Sequence, residues 1–169
     1  YDLNMSDSFG DYTVVGFMIH HYKSGTRCKI RNEGGYEYVR KLRGNQPKEQ
    51  YRYLELCHTG RIDEYLTYYP EEMETFNKYR IQVNTFITTL YQHYVNCFIK
   101  KTNSLGNYPH EYKSHMYELH KIYLEQIKPG NIPYTTAMNI NIVTWYITKL
   151  PPAKLMYSIN YHYRPEILD

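Results

Sequence analysis

The sequence predicts an α+β fold that is mostly α, with a β-hairpin near the N-terminus followed by a helical bundle. Two observations carry this. Residues 11–31 contain a run rich in β-branched and aromatic residues and, after a turn, a run with the two-residue alternation of a strand. From Pro70 onward, apolar and aromatic residues recur at steps of three and four, broken only by proline and glycine. The chain of 169 residues suits one domain, or a small domain carrying an extension. Three segments are expected: 1–45, a hairpin and a short helix; 46–69, short connecting helices; and 70–169, a helical bundle.

Residues 1–10 are polar and without a period, a loop or the ragged start of a fragment. Residues 11–22, DYTVVGFMIHHY, are rich in β-branched and aromatic residues and read as the first strand. Tyr22, Lys23, Ser24 and Gly25 form the turn. In the second strand Thr26, Cys28 and Ile30 take one face and Arg27, Lys29 and Arg31 the other. Gly34 and Gly35 break the pattern. Residues 36–43 resume at helical spacing, with Tyr36, Val39 and Leu42 or Arg43 on one side and Gly44 at the end.

Pro47 suits a first helical turn, and residues 49–58 place Tyr53, Leu56 and Cys57 at helical steps before Gly60. Residues 62–69 form a further short helix. The longest helix starts at Pro70, with Glu71, Glu72 and Glu74 where its dipole favours carboxylates and Lys100 and Lys101 where it favours cations. Its apolar stripe runs Phe76, Tyr79, Val83, Phe86, Leu90, Tyr94 and Cys97, widened by Ile87 and Phe98. After a loop over 102–108, a second long helix covers 111–128 through Tyr112, Met116, Leu119, Tyr123 and Ile127, stopped by Pro129 and Gly130. A third, capped by Thr135 or Thr136, runs to about Leu150 with Ala137, Ile140, Thr144, Trp145 and Ile147 inward. Pro151 and Pro152 end it, and residues 153–160 form a last short helix.

The charge is uneven. Residues 20–61 carry ten Lys or Arg against four Asp or Glu, the first nineteen residues sum to −3, and the last 108 to zero. Three cations on one strand face repel unless water screens them or an anion bridges them. The stripe is therefore a solvated face or a phosphate seat, and the local excess suits a polyanion. The candidate phosphate-binding residues are Arg27, Lys29, Arg31, Arg40 and Arg43. Tyrosine interleaved with arginine, as in Gln50-Tyr51-Arg52-Tyr53, is also what a single-strand binder would carry. The 22 tyrosines equally suit helix faces and the codon usage of an AT-rich genome, such as that of a giant virus or a protist.

Three dispersed cysteines give neither a disulfide framework nor a zinc pattern. His110, His115 and His120 are five apart, which turns each about 140° from the last on a helix and predicts no shared metal face. Glu111, Glu118 and Glu125 recur every seven, a solvated charged stripe or one that meets a basic partner. No nucleophile motif or phosphate loop is present, so no catalytic and no metal residues are assigned. No membrane span and no secretion signal are expected, which places the chain in the cytoplasm or a virion. A two-stranded hairpin is marginal alone, and Val14, Val15, Phe17, Met18 and Ile19 put apolar groups on both faces. Another chain, or further strands from a missing N-terminal segment, is therefore expected to cover it.

Residues 14–71 resemble the last two nucleotidyltransferase motifs of phage-type and viral RNA ligases and the segment that follows them. Gly16 and Phe17 match the fourth motif, Glu-Gly-hydrophobic-Val, whose carboxylate helps to hold a metal in that family. Lys29 matches the first lysine of the fifth, Lys-x-Lys, which contacts nucleotide phosphates, and Arg31 replaces the second. Residues 60–71, GRIDEYLTYYPE, are similar to the following segment. Val15 stands where the family has its glutamate, and the 169 residues contain no Lys-x-Asp-Gly to supply the nucleophilic lysine. The resemblance implies that residues 1–45 are a partial ligase-like domain. It also implies that the chain is a fragment or degenerate relative of an RNA or polynucleotide ligase, binding RNA or DNA but inactive alone. A parent containing the missing N-terminal part would be an ATP-dependent RNA ligase using ATP and Mg²⁺; the isolated chain would use no cofactor. The competing expectation is a structural or interaction protein, such as a giant-virus particle component.

Overall fold

The computed structural model describes residues 10–127 and 138–163. It is mostly helical with one antiparallel hairpin, and the chain divides into two compact units, Tyr1–Pro47 and Lys48–Asp169.

In the first unit, β1 (Gly16–His20) pairs antiparallel with β2 (Arg27–Arg31), with Gly16 opposite Arg31, Met18 opposite Lys29 and His20 opposite Arg27. The turn between them is held at several points. His21 N–H donates to the Thr26 carbonyl at 2.8 Å and Gly25 N–H to that of His21 at 2.9 Å. The Ser24 hydroxyl lies between His21 Nδ1 at 2.6 Å and Thr26 Oγ1 at 2.7 Å. Gly16 has φ +149°, and a Cβ there would lie 2.2 Å from the Ile30 carbonyl oxygen, so a side chain would break the pairing where the strand begins.

Asn32 joins the sheet to the helix that follows. It is fully buried, and its amide nitrogen donates to the carbonyls of Asp11 (2.8 Å) and Val14 (2.9 Å) while its Oδ1 accepts from Gly35 N–H (2.9 Å). Its own N–H reaches the Val15 carbonyl at 3.1 Å and its carbonyl accepts from Glu37 N–H at 3.0 Å. Gly35 is obligatory beside it, since a Cβ would meet Asn32 Nδ2 at 2.8 Å and the Asp11 carbonyl at 2.9 Å. The helix α1 (Tyr36–Arg43) buries Val39, Leu42 and Glu37 and ends at Gly44. Among the described residues the sheet has only these two strands. Val15, Met18 and Ile19 are 47 %, 55 % and 50 % exposed, so the cover expected for the hairpin does not come from the described part of this chain.

The second unit contains α2 (Glu49–Thr59), α3 (Ile62–Tyr68), a 3₁₀ turn (Pro70–Glu72) and α4 (Met73–Tyr94), which runs on into a π-turn, Val95–Ile99. After another 3₁₀ turn, Leu105–Asn107, come α5 (His110–Ile122) with its π-turn Tyr123–Ile127, then α6 (Ile140–Lys149), α7 (Pro152–Ile159) and a 3₁₀ turn, Tyr161–Tyr163. α2 packs against α7, α4 against α5 and α6, and α5 against α7. Leu54, Phe86, Leu90, Met116, Leu119 and Ile147 form the core between them.

The inward face of α6 differs from the expected one. Val143, Tyr146, Ile147 and Leu150 are buried, while Ile140, Thr144 and Trp145 are exposed. Asn139 caps the helix, its side chain accepting from the N–H groups of Asn141 (3.0 Å) and Ile142 (3.2 Å). The apolar steps from Val143 by three, four and seven therefore set the phase, and Trp145 falls on the opposite side. Thr135, Thr136, Ala137, Pro129 and Gly130 lie outside the described residues.

Candidate nucleic-acid interface

Strand pleating puts Arg27, Lys29 and Arg31 on one face of β2, about 6.8 Å apart in sequence along the strand. Their cross-strand partners His20, Met18 and Gly16 share that face. All three cations are exposed. Among the described residues neither Arg27 nor Lys29 has an acidic partner.

Arg31 and Arg40 are arranged otherwise. The carboxylate of Glu37 on α1, a residue only 8 % exposed, lies 3.5 Å from Arg31 Nη1 through Oε1 and 3.0 Å from Arg40 Nε and Nη2 through Oε2. The chain's own carboxylate thus joins these two candidate phosphate-binding arginines, and Glu37 was missed as their partner. Arg43 is exposed in the last turn of α1, one turn beyond Arg40, where the helix dipole favours a cation. The five sequence candidates therefore resolve into an open pair, Arg27 and Lys29, a carboxylate-bridged pair, Arg31 and Arg40, and Arg43. Seven Lys or Arg against five Asp or Glu over residues 1–47 leave the unit with a formal charge of +2.

The stretch Tyr51-Arg52-Tyr53 is not a stacking platform. Arg52 is 7 % exposed, with Nη2 3.2 Å from Glu72 Oε2 and its guanidinium carbon 5.9 Å from the Tyr65 ring centroid. Tyr53 packs edge-on against Phe76 with ring centroids 5.3 Å apart. Both belong to an aromatic core in which Tyr65 also stacks on Tyr69 at 4.7 Å and on Phe76 at 5.3 Å. Interleaving in sequence gave no information on facing, and on α2 these residues turn inward.

One constellation has the geometry of a nucleophile beside a base. His115 is fully buried, its Nε2 2.8 Å from Ser158 Oγ and its Nδ1 2.9 Å from Tyr146 Oη. The Ser158 hydroxyl donates to the Lys154 carbonyl at 3.1 Å, so it accepts from His115 Nε2–H, and Nδ1 accepts from the Tyr146 hydroxyl. Burial, aided by Lys154, lowers the His115 pKa to about 4, and burial raises that of Tyr146 to about 12. A buried imidazole this hard to protonate is a core hydrogen-bond relay, ill suited to act as a general base. The other two histidines go elsewhere: His110 stacks on Tyr161 and His120 on Phe98. Among the described residues no three His, Cys, Asp or Glu side chains gather as metal ligands.

An apolar pocket of about 80 Å³ lies between Leu54, Cys57, His58, Val83, Ile147 and Leu155. Cys57 is exposed as a residue, but desolvation of its thiol against the neighbouring side chains raises its pKa and disfavours the thiolate. No described helix is long and apolar enough to cross a membrane. No protein-family model, curated protein or solved structure matches the chain.

Proposed function

We propose that the chain is a fragment or degenerate relative of an RNA-ligase-like nucleotidyltransferase that binds polynucleotide phosphates through the outer face of β2 and does not complete nucleotidyl transfer alone. The observation that carries this reading is the pair Arg27 and Lys29, exposed side by side on a hydrogen-bonded strand without an internal carboxylate. A strand holds the backbones of such groups in register, so less conformational freedom is lost when phosphates arrive. The resemblance to the ligases points the same way, because Lys29 falls on a phosphate-contacting position. RNA or DNA is the partner, in the cytoplasm or in a virion; ATP and Mg²⁺ would serve only a parent whose N-terminal part supplies the lysine.

The test is fluorescence anisotropy of labelled RNA and DNA oligonucleotides across a salt series, with a mass measurement after incubation with ATP and Mg²⁺. Affinity should fall with salt by a log–log slope of about −0.7 per single-strand phosphate engaged. Arg27→Glu with Lys29→Glu should abolish binding. Glu37→Gln, which frees Arg31 and Arg40, should strengthen it and steepen the slope. No adenylate adduct should form. Undiminished binding by the double variant, or a stable adduct, would overturn the proposal.

A second reading, a structural or particle component, draws on the exposed Val15, Met18 and Ile19, which a neighbouring chain could bury. A sedimenting mass well above 20.5 kDa would favour it.

A further inference from the structure

The tip of the hairpin carries a feature that the phosphate reading does not use. Tyr22 is 98 % exposed, whereas the next most exposed tyrosine among the described residues, Tyr117, is 63 % exposed. Tyr53 on α2, Tyr65 on α3, Tyr94 on α4 and Tyr146 on α6 are buried in the core of the second unit, so a ring standing wholly in water is exceptional among the described tyrosines. No hydrogen bond, ion pair or ring contact fixes its side chain among the described residues.

The backbone beneath it is well held. Besides the His21–Thr26 and His21–Gly25 backbone bonds, Ser24 N–H donates to His21 Nδ1 at 3.2 Å and Thr26 N–H to Ser24 Oγ at 3.3 Å. The ring is therefore presented on an ordered turn between His21 and Lys23, and the strand leaving that turn begins the Arg27–Lys29 row.

We infer that Tyr22 is a base-stacking anchor, and that the hairpin takes single-stranded nucleic acid in preference to duplex. This rests on the polyanion reading of β2. An exposed π-face stacks on an unpaired base of any identity, but a base within a duplex keeps its faces covered by its neighbours. The two-residue step of a strand, about 6.8 Å, is comparable with the spacing of successive phosphates in an extended single strand, so Arg27 and Lys29 can follow one backbone while the tip takes a base. The surface is then selective for strandedness and tolerant of sequence.

The experiment measures the full chain against labelled oligo(U), oligo(dT), a duplex of equal length, and heparin as a polyanion without bases. Tyr22→Ala should weaken oligo(U) and oligo(dT) binding roughly ten-fold, the scale of one lost stack, and leave duplex and heparin unchanged. Tyr22→Phe and Tyr22→Trp should retain single-strand affinity, since the ring and not the hydroxyl is used. The native chain should bind either single strand more tightly than the duplex. The inference is overturned if Tyr22→Ala binds single strands like the native chain, or if it loses heparin in parallel. If the Arg27→Glu, Lys29→Glu variant loses heparin as well as oligonucleotide while Tyr22→Ala changes nothing, the phosphate reading stands and only the stacking anchor fails. If that double variant binds everything as before, or the native chain binds no polyanion, both fail together.

Discussion

His115 shows how much a single buried side chain can decide. Its imidazole is held neutral by burial, with one nitrogen accepting from Tyr146 and the other donating to Ser158. The folded pKa is about 4 against an ordinary 6.5. Between these values the unfolded chain binds a proton that the folded chain does not, so stability is greatest above pH 6.5 and declines as pH falls toward 4. The full effect is about 3 kcal/mol at 1.36 kcal/mol per pH unit. Urea unfolding at pH 7 and pH 4.5 should show this decline in the native chain and a markedly flatter dependence in His115→Gln. Equal pH slopes in the two would remove His115 as the cause. Nothing of this was legible from spacing. The sequence places His115 beside Met116 and Leu119 on an inward stripe, but its partners lie 31 and 43 residues away, and only folding brings them to it.

At the scale of elements, legibility depended on whether a local signal had a rival. The hairpin, α1 with its terminal Gly44, α2 with Gly60, and the long stripe of α4 were legible because period and terminal residue agreed. α6 was misphased because Trp145 outweighed its neighbours in apolar area, although Val143, Tyr146, Ile147 and Leu150 already made a consistent helical face. The basic stripe was legible as a face, but the capture of Arg31 and Arg40 by Glu37 was not, since that depends on how α1 meets β2. Asn32 controls that meeting and was missed. It occupies a single position between a strand and a glycine pair, with no periodic signal of its own. Its carboxamide donates to two carbonyls and accepts from the buried Gly35 N–H, which would otherwise be left unpaired. Asn32→Ala should cost the first unit about 3 kcal/mol and expose the Gly35 and Glu37 amides to rapid hydrogen exchange. Asn32→Asp has the same shape but turns an acceptor toward the Asp11 and Val14 carbonyls, so it should be at least as damaging. If Asp restores protection where Ala does not, shape rather than donor chemistry is what matters.

For the whole molecule, the two units differ in what they can bury. The helical unit has a core of interlocked aromatic and aliphatic side chains from six helices, enough for independent folding. The first unit buries little beyond Asn32, Glu37, Val39 and Leu42 and leaves Val15, Met18 and Ile19 half-exposed. A two-stranded sheet with one helix is at the edge of self-sufficiency, and chains of some 40 residues generally need a staple, a metal or a partner. The sequence already implied this asymmetry through its uncovered hairpin, whereas the identity of any cover is not written in local pattern at all. Expressed alone, residues 48–169 should melt cooperatively and retain the His115 pH response, yet bind no polyanion. Residues 1–47 alone should show no cooperative transition by circular dichroism, and one should emerge only when a ligand or another polypeptide buries the apolar groups of β1. A sharp melt from the isolated N-terminal unit would mean that its hydrogen-bonded turn and Asn32 staple suffice without further burial. Failure of the helical piece to fold would mean that its core is less complete than its packing indicates.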